Sequence, residues 1–165
     1  EAIEQILVNR NPRDWRDVQA LAYLNTPGAR SALKNSIASN KQVNMAVLRF
    51  APELVKDEIK TKLVVESLKS ATFYYGLSQT LRIVEDYHPK EVIRELLCGL
   101  LNREGEVAAS FAAMLFYIYG KTDTYFPFED RGFFLEFNTL KLSDRRILFK
   151  ELCDKIGVNC TEYLK

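Results

Sequence analysis

The sequence predicts an all-α protein in which pairs of helices stack as a solenoid, and three observations support this prediction. Apolar residues recur at helical spacing along most of the 165-residue chain. Four prolines each precede such a stretch and mark predicted helix starts. The sequence also overlays on itself at spacings of about 37 and about 34 residues, which are typical of two-helix repeats. The best candidate for a strand, 132–137, is short and isolated.

Composition and charge restrict the classes of function. The chain is 47% hydrophobic, which excludes a disordered protein. Its 23 Lys and Arg residues nearly balance 22 Asp and Glu residues, and this balance argues against a nucleic-acid or membrane-surface binder. Cys98, Cys153 and Cys160 lack CxxC spacing, which favours reduced thiols over zinc ligands or disulfides. The longest apolar stretch, 107–119, is too short to cross a membrane. With no targeting signal visible, the predicted location is cytoplasmic.

Prolines mark four predicted helix starts. Proline suits the first helical position, because its missing N–H would have no helical partner there. Asn11 and Thr26 are also good N-cap residues, and Ser143 and Gly157 are predicted to begin and end the last helix. The four starts are Asn11-Pro12, Thr26-Pro27, Ala51-Pro52 and His88-Pro89.

Apolar side chains at spacings of three and four residues define one buried face for each predicted helix. The face that begins with Phe73 predicts a helix over 71–87. Gly120 is predicted to end the helix whose face begins with Val107. In chain order the faces are Trp15/Val18/Ala22, Val43/Ala46/Val47/Phe50, Val55/Ile59/Leu63, Phe73/Leu77/Leu81/Val84, Val92/Leu96/Leu100, Val107/Phe111/Met114/Leu115/Ile118 and Ile147/Leu148/Leu152/Ile156.

The predicted helices also repeat in pairs. The stretch 46–63 aligns with 83–100, with a proline at the same place in each, and 73–84 aligns with 107–118. Both overlays bring apolar positions into register, as the stacked pairs of an α-solenoid require. The alternative is a non-repetitive helical bundle whose amphipathic helices coincide by chance.

The stretch 88–120 contains a proline-opened helix, a short acidic turn and a second helix that begins with Val107 and includes a pair of alanines. In these features it resembles a HEAT repeat, although Ala108 stands where such repeats often have an arginine. The resemblance extends over 26–120.

The HEAT resemblance implies an α-α superhelix of about three helix pairs, forming a single domain over 1–165. In this arrangement, 1–25 is a partial N-terminal unit and 26–120 contains the helix pairs. The remaining stretch, 121–165, is an aromatic C-terminal cap.

Aromatic residues are concentrated in one part of the chain, with ten of the nineteen between Phe111 and Phe137. No helical face accounts for those from Tyr125 onward. We expect them to seal the end of the solenoid, because terminal repeats need a cap. If they are exposed, they form an interface instead. The six residues of this aromatic cluster are Tyr125, Phe126, Phe128, Phe133, Phe134 and Phe137.

The cap segment carries a second resemblance. Its residues are Pro127-Phe128, Arg131 with Phe133-Phe134, Phe137-Asn138 and Glu151-Leu152-Cys153. In these it is similar to the tails of bacterial HEAT-type immunity proteins encoded beside polymorphic toxins. The resemblance implies a cytoplasmic inhibitor that occludes the active site of a cognate toxin.

A mixed polar and aromatic stripe on the predicted helix 71–87 is the candidate binding site. Tyr75, Gln79, Arg82 and Asp86 follow one another at helical spacing, and the stripe is separate from the apolar face. Such a composition is typical of recognition surfaces. Tyr117, on the second helix of the next pair, extends the stripe. The alternative is a hydrated helix face with contacts between repeats.

Catalytic and metal-binding motifs are not found in the sequence. His88 is the single histidine, and no local motif supplies partners for a metal site or a triad. Gly120-Lys121-Thr122 lacks the glycine of a phosphate-binding loop, since Leu115 occupies that position. Three acidic pairs have positions that helix ends and turns explain, namely Glu85-Asp86, Glu104/Glu106 and Glu129-Asp130. We therefore predict no enzyme and no cofactor.

The predicted function is non-catalytic binding of another protein through the concave face of the superhelix, with a toxin domain as the sharper form of that partner. The main alternative is a HEAT-like DNA-binding or DNA-repair protein, whose basic face would begin with Arg10, Arg13, Arg16 and Arg30. A lyase or hydrolase that uses the acidic pairs is a third possibility. The nearly even charge balance argues against nucleic acid as the partner.

Overall fold

The computed structural model describes residues 2–37, 40–127 and 129–164, and within them helices alternate with short turns. No strand occurs in these ranges, so the prediction of an all-α protein is confirmed. The helices are α1 (Ala2–Arg10), α2 (Trp15–Leu24), α3 (Pro27–Ser36), α4 (Lys41–Phe50), α5 (Asp57–Ser70), α6 (Leu77–Asp86), α7 (Lys90–Asn102), α8 (Glu106–Ile118), α9 (Arg131–Glu136) and α10 (Leu142–Ile156), with a 3₁₀ turn at Pro52–Leu54.

The chain divides into two compact units, and the division falls within α5, between Ser67 and Leu68. The assignment of 1–165 to a single solenoid domain stays a prediction. Among the described residues, no helix combines the length and the apolar character that crossing a membrane requires.

In the first unit, α2 packs against α3 and α4, and α1 packs against α2 and α3. Side chains cap three of the helices at their N-termini, where backbone N–H groups lack helical partners. Asp14 accepts hydrogen bonds from the N–H groups of Arg16 and Asp17. Thr26 and Asn40 cap α3 and α4 in the same way. The fully buried core residues of this unit include Val18, Leu21, Leu33, Val43 and Val47.

Helix α8 is the centre of the second unit. It packs against α6, α7, α9 and α10, and nine of its thirteen residues are buried. Its closest neighbour is α7, where Gly99 lies against the ring of Phe111. A Cβ atom at Gly99 would overlap the ring of Phe111, so only glycine allows this approach of the two helices.

The predicted helix starts are confirmed in part. Thr26 caps α3 with Pro27 at its first position, as expected. Asn11 has a left-handed backbone, with φ of 59°, and the cap of α2 is Asp14 instead. Pro52 opens a 3₁₀ turn, and α5 begins only at Asp57.

The predictions for the ends of the later helices are also confirmed only in part. Pro89 directly precedes α7, in the N-cap position. Ser143 lies inside the first turn of α10, so the prediction that it caps this helix is wrong. Gly157 and Gly120 both have left-handed backbones and end α10 and α8 as predicted, because glycine adopts a positive φ without a steric penalty.

Four predicted apolar faces are wrong in detail. On α2, Trp15 is 44% exposed, and Val18 and Leu21 are the buried apolar residues. On the face predicted for 71–87, Phe73 is 51% exposed.

The other two faces are those of α5 and α10. On α5 the buried apolar residues are Val64 and Leu68, whereas Ile59 is 43% exposed. On α10, Ile147 is exposed, and Phe149 and Cys153 are buried in its place. On α5 the buried face is therefore offset from the prediction, whereas on α10 the other three predicted residues are buried and Phe149 and Cys153 widen the face.

Candidate interaction surface

A tight turn between α5 and α6 differs most from the predicted structure. We call residues 72–76, Thr-Phe-Tyr-Tyr-Gly, the aromatic turn. The N–H of Thr72 donates to the carbonyl oxygen of Tyr75 at 3.0 Å, and the N–H of Tyr75 donates back to that of Thr72 at 2.9 Å. Gly76 then has φ of 79°, a conformation that favours glycine and directs the chain into α6.

The three aromatic side chains of this turn lie in solvent. Phe73 is 51% exposed, Tyr74 87% and Tyr75 77%. The rings of Phe73 and Tyr74 meet edge to face, with centroids 5.2 Å apart. A single exposed aromatic residue needs no explanation, but three consecutive ones in a hydrogen-bonded turn form an apolar projection of the kind found at interaction sites.

The structure separates the predicted stripe into parts. The predicted helix 71–87 begins only at Leu77, so Tyr75 belongs to the aromatic turn and not to a helical face. Gln79, Arg82 and Asp86 lie on α6 and are all exposed. Tyr117 is half-buried on α8, a helix that packs against α6. The role of these five residues in binding stays a prediction.

The end of α5 is held by Arg103, which follows α7. The Arg103 guanidinium donates to the carbonyl oxygen of Leu68 at 3.0 Å and also to those of Lys69 and Ala71. Carbonyl groups at a helix C-terminus lack helical partners and carry partial negative charge, so a cation there is stabilising. We call this set of contacts the Arg103 clamp. It lies directly before the aromatic turn.

Glu104, the residue after Arg103 in the α7–α8 turn, contacts a different helix, α10. The carboxylate of Glu104 lies 3.6 Å from Nη1 of Arg145, a residue of α10 whose side chain is almost fully buried. The same Nη1 donates to the carbonyl oxygen of Thr139 at 3.0 Å. Consecutive residues of one turn therefore hold both the end of α5 and the loop before α10.

Residues of the aromatic cluster pack together and against α8. The ring of Phe134 meets those of Phe116 and Phe126 at centroid distances of 5.1 and 5.6 Å. Phe134 and Phe137 are fully buried, and Tyr125, Phe126 and Phe133 are half-buried. Phe128 lies outside the described residues. This burial supports a packing role over an exposed interface; the role as an end cap of a solenoid stays a prediction.

The sequence reasoning missed both α9 and the aromatic turn. Helix α9 carries Phe133 and Phe134 and lies within the predicted aromatic cap, where no helical face was predicted for the aromatic residues. The signal that was present for the turn is Gly76 following three aromatic residues, because a glycine at such a place commonly provides a positive φ. Helical spacing from Phe73 to Leu77 concealed it.

Two of the four arginines proposed as a basic face are engaged with carboxylates. Arg10 pairs with the buried Asp17, and Arg30 lies 3.4 Å from Glu53. The Arg16 guanidinium lies over the ring of Trp15, 5.2 Å from its centroid. The two ion pairs reduce the positive charge available for phosphate groups.

The first unit has one further surface feature, an open groove of about 710 Å³ between α1 and α2. Tyr23, which is 92% exposed, stands at this groove. The other lining residues are Ile3, Glu4, Arg16, Gln19, Ala20 and Leu24.

The residues that could support chemistry are dispersed. Nδ1 of His88 lies 2.8 Å from the carbonyl oxygen of Val84. No group of three or more potential metal ligands occurs within the described ranges. Cys98, Cys153 and Cys160 are free thiols, and burial raises the pKa of Cys153 to about 12. A thiol with so high a pKa stays protonated and is a poor nucleophile.

Stability should fall at alkaline pH. Burial raises the pKa of Cys153 from 9.0, and those of Tyr125 and Tyr163 from 10.0, to about 12. The folded state thus binds these protons more tightly than the unfolded state. The stabilisation is complete below about pH 9 and is lost as the pH rises toward about 12.

Urea unfolding at about pH 8 and about pH 11 measures this effect, with Cys153→Ala as the comparison. We expect a lower free energy of unfolding at the higher pH, and a smaller decrease in the variant because one raised pKa is removed. Equal free energies of unfolding for the parent protein at the two pH values would contradict the prediction.

No family model matches this sequence, and comparisons with curated proteins and with solved structures find no match.

Proposed function

We propose that this chain is a non-catalytic protein-binding module, and that the aromatic turn together with the exposed face of α6 forms its binding surface. The observation that carries this proposal is the exposure of Phe73, Tyr74 and Tyr75 in a hydrogen-bonded turn. Aromatic side chains at interfaces supply large contact areas and often dominate the binding energy.

The polar part of the proposed surface continues from the turn along α6. Gln79, Arg82 and Asp86 are exposed there, so both signs of charge are present beside the aromatic rings. This combination of apolar anchors and a polar rim is the usual anatomy of a protein–protein interface. Because three consecutive aromatic side chains of this turn are exposed, the turn fits a partner that presents an apolar cleft.

The architecture that we propose for the module is a HEAT-like α-α superhelix. Two features support it: α7 and α8 form a closely packed pair, and the aromatic cluster covers one side of α8. The sharper functional form is an immunity protein, in which the aromatic turn enters and blocks the active-site cleft of a cognate toxin.

Photo-crosslinking in cells of the source organism tests the proposal. A benzophenone amino acid at position 74 should give a covalent adduct with one protein after irradiation. The matched control places the same amino acid at position 23, where Tyr23 is equally exposed but lies outside the aromatic turn. We expect no adduct with that protein from position 23.

Three results would contradict the proposal. These are no adduct from position 74, the same adduct from both positions, and a salt-sensitive shift of duplex DNA by the purified chain, which would favour the DNA-binding alternative. If the captured protein is a toxin, cells that express it alone should stop growing, and co-expression of this chain should restore their growth. Failure to restore growth would contradict the immunity form.

A further inference from the structure

We infer that Arg103 is the positioning residue of the aromatic turn, holding Phe73, Tyr74 and Tyr75 in the conformation that binds the partner. This inference rests on the proposed function of the turn. Arg103 acts through the backbone at the end of α5, where its guanidinium contacts three carbonyl oxygens.

The contacts of Arg103 fix the backbone where the turn begins. Its guanidinium donates to the carbonyl oxygens of Leu68, Lys69 and Ala71, and Ala71 immediately precedes the aromatic turn. The fork of a guanidinium can serve several carbonyl groups at fixed angles, which the single ammonium group of a lysine cannot do. The clamp therefore sets the direction in which the chain leaves α5.

Few other contacts hold the aromatic turn among the described residues. The carbonyl oxygen of Gly76 accepts hydrogen bonds from the N–H of Thr80 at 2.9 Å and from its hydroxyl at 2.7 Å, and these hold the end of the turn that leads into α6. The turn's own backbone contributes the two hydrogen bonds between Thr72 and Tyr75.

Tyr74 and Tyr75 are 87% and 77% exposed and bury little apolar surface, and Phe73 buries about half of its own, so the three rings fix the turn only in part. The buried residues that flank it are Ala71 on one side and Leu77 on the other. Because small exposed turns open readily, we expect the Arg103 clamp to be the main contact that orders the end of the turn adjoining α5.

Arg103 is in turn supported by its surroundings. Its own N–H donates to the carbonyl oxygen of Gly99 at 2.7 Å, which places it at the C-cap of α7. Near it, Nζ of Lys69 lies 3.8 Å from the carboxylate of Glu95. The guanidinium thus extends from a helix end that is packed against α8, the most buried helix of its unit. A rigid base of this kind is what a positioning residue requires.

Hydrogen exchange measured by mass spectrometry tests the inference on the full chain. We expect Arg103→Gln to speed the exchange of amides in 68–76 by about tenfold or more, while α8 keeps its protection. Arg103→Lys should give an intermediate increase, since its ammonium can serve only some of the carbonyl groups. Arg146→Gln is the control, because Arg146 is an exposed arginine of α10. We expect it to leave 68–76 unchanged.

Two exchange results would overturn the inference. One is unchanged protection of 68–76 in Arg103→Gln. The other is an equal loss of protection in 68–76 and in α8, which would assign Arg103 to overall folding. If Arg103→Gln fails to fold, the comparison between the protection of 68–76 and that of α8 can be made with Arg103→Lys, which retains the charge.

Crosslinking separates the inference from the proposed function. With the benzophenone probe at position 74, Arg103→Gln should lower the yield of the partner adduct, and Arg146→Gln should not. An undiminished adduct from a turn whose protection is lost would overturn the positioning role and leave the binding role intact. Absence of any adduct in the parent chain would remove the proposed function, whatever the exchange data show.

Discussion

Phe134→Ala should lower the free energy of unfolding by about 3–5 kcal/mol, the range found when a buried phenylalanine is truncated to alanine. Phe134 is fully buried, and its ring contacts those of Phe116, Phe126 and Phe133. Truncation removes these contacts and leaves a cavity. Since α8 and α9 meet at this cluster, the surrounding structure can close the cavity only in part.

Urea unfolding followed by circular dichroism measures this loss, and Leu135→Ala is the matched control. Leu135 is the next residue of α9 and is 43% exposed, so its truncation should cost less than about 1 kcal/mol. Similar losses for the two variants would show that the aromatic cluster contributes no more to stability than an exposed site does.

The double variant Phe73→Ala/Tyr74→Ala should weaken binding of the crosslinked partner by about 100-fold or more. Aromatic anchors commonly contribute about 2 kcal/mol or more to the free energy of binding, and each tenfold change in affinity corresponds to about 1.4 kcal/mol. Tyr74 is 87% exposed in the free protein, and Phe73 is 51% exposed. Truncation of Tyr74 should therefore change the free energy of unfolding by less than about 0.5 kcal/mol, and truncation of the half-exposed Phe73 by about 1 kcal/mol.

Titration calorimetry with the purified partner measures the affinity of each variant. Tyr23→Ala is the control, because it removes an equally exposed tyrosine from the first unit. We expect it to bind like the parent protein. Two results would contradict the assignment of the binding surface to the aromatic turn. One is an unchanged affinity in the double variant, and the other is a loss of affinity in Tyr23→Ala as large as that in the double variant.

Much of the second unit could be predicted from its sequence. The apolar faces of α7 and α8 match the buried residues closely, with Val92, Leu96 and Leu100 all fully buried. Strong helical periodicity succeeds there because both helices are packed on wide apolar faces. Thr26 was equally predictable, since threonine before proline supplies both a cap and a fixed φ.

The binding surface was harder to predict. Phe73, Leu77, Leu81 and Val84 have the spacing of one helical face, yet Phe73 lies before the helix and is half exposed. Periodicity describes where apolar residues recur, but it does not contain the backbone reversal at Gly76. Nor could any local pattern indicate Arg103, because its carbonyl partners lie more than thirty positions earlier in the chain.

The register of Gln79, Arg82 and Asp86 was predictable because these three lie on a true helix. Tyr75 was assigned to the same face only because the helix was extended too far toward the N-terminus. Its exposure is real, but its direction is set by the turn.

The α7–α8 turn also limits how the length of this chain can change. Arg103 and Glu104 are adjacent, yet they hold different neighbours, so inserting even one residue between them would move one side chain away from its partner. The remaining residue of the turn, Gly105, has φ of 66°, so a side chain there would strain the backbone, and a deletion would also move one contact out of reach. Loop grafts and fusion points therefore belong in an exposed stretch such as 123–124, outside this junction.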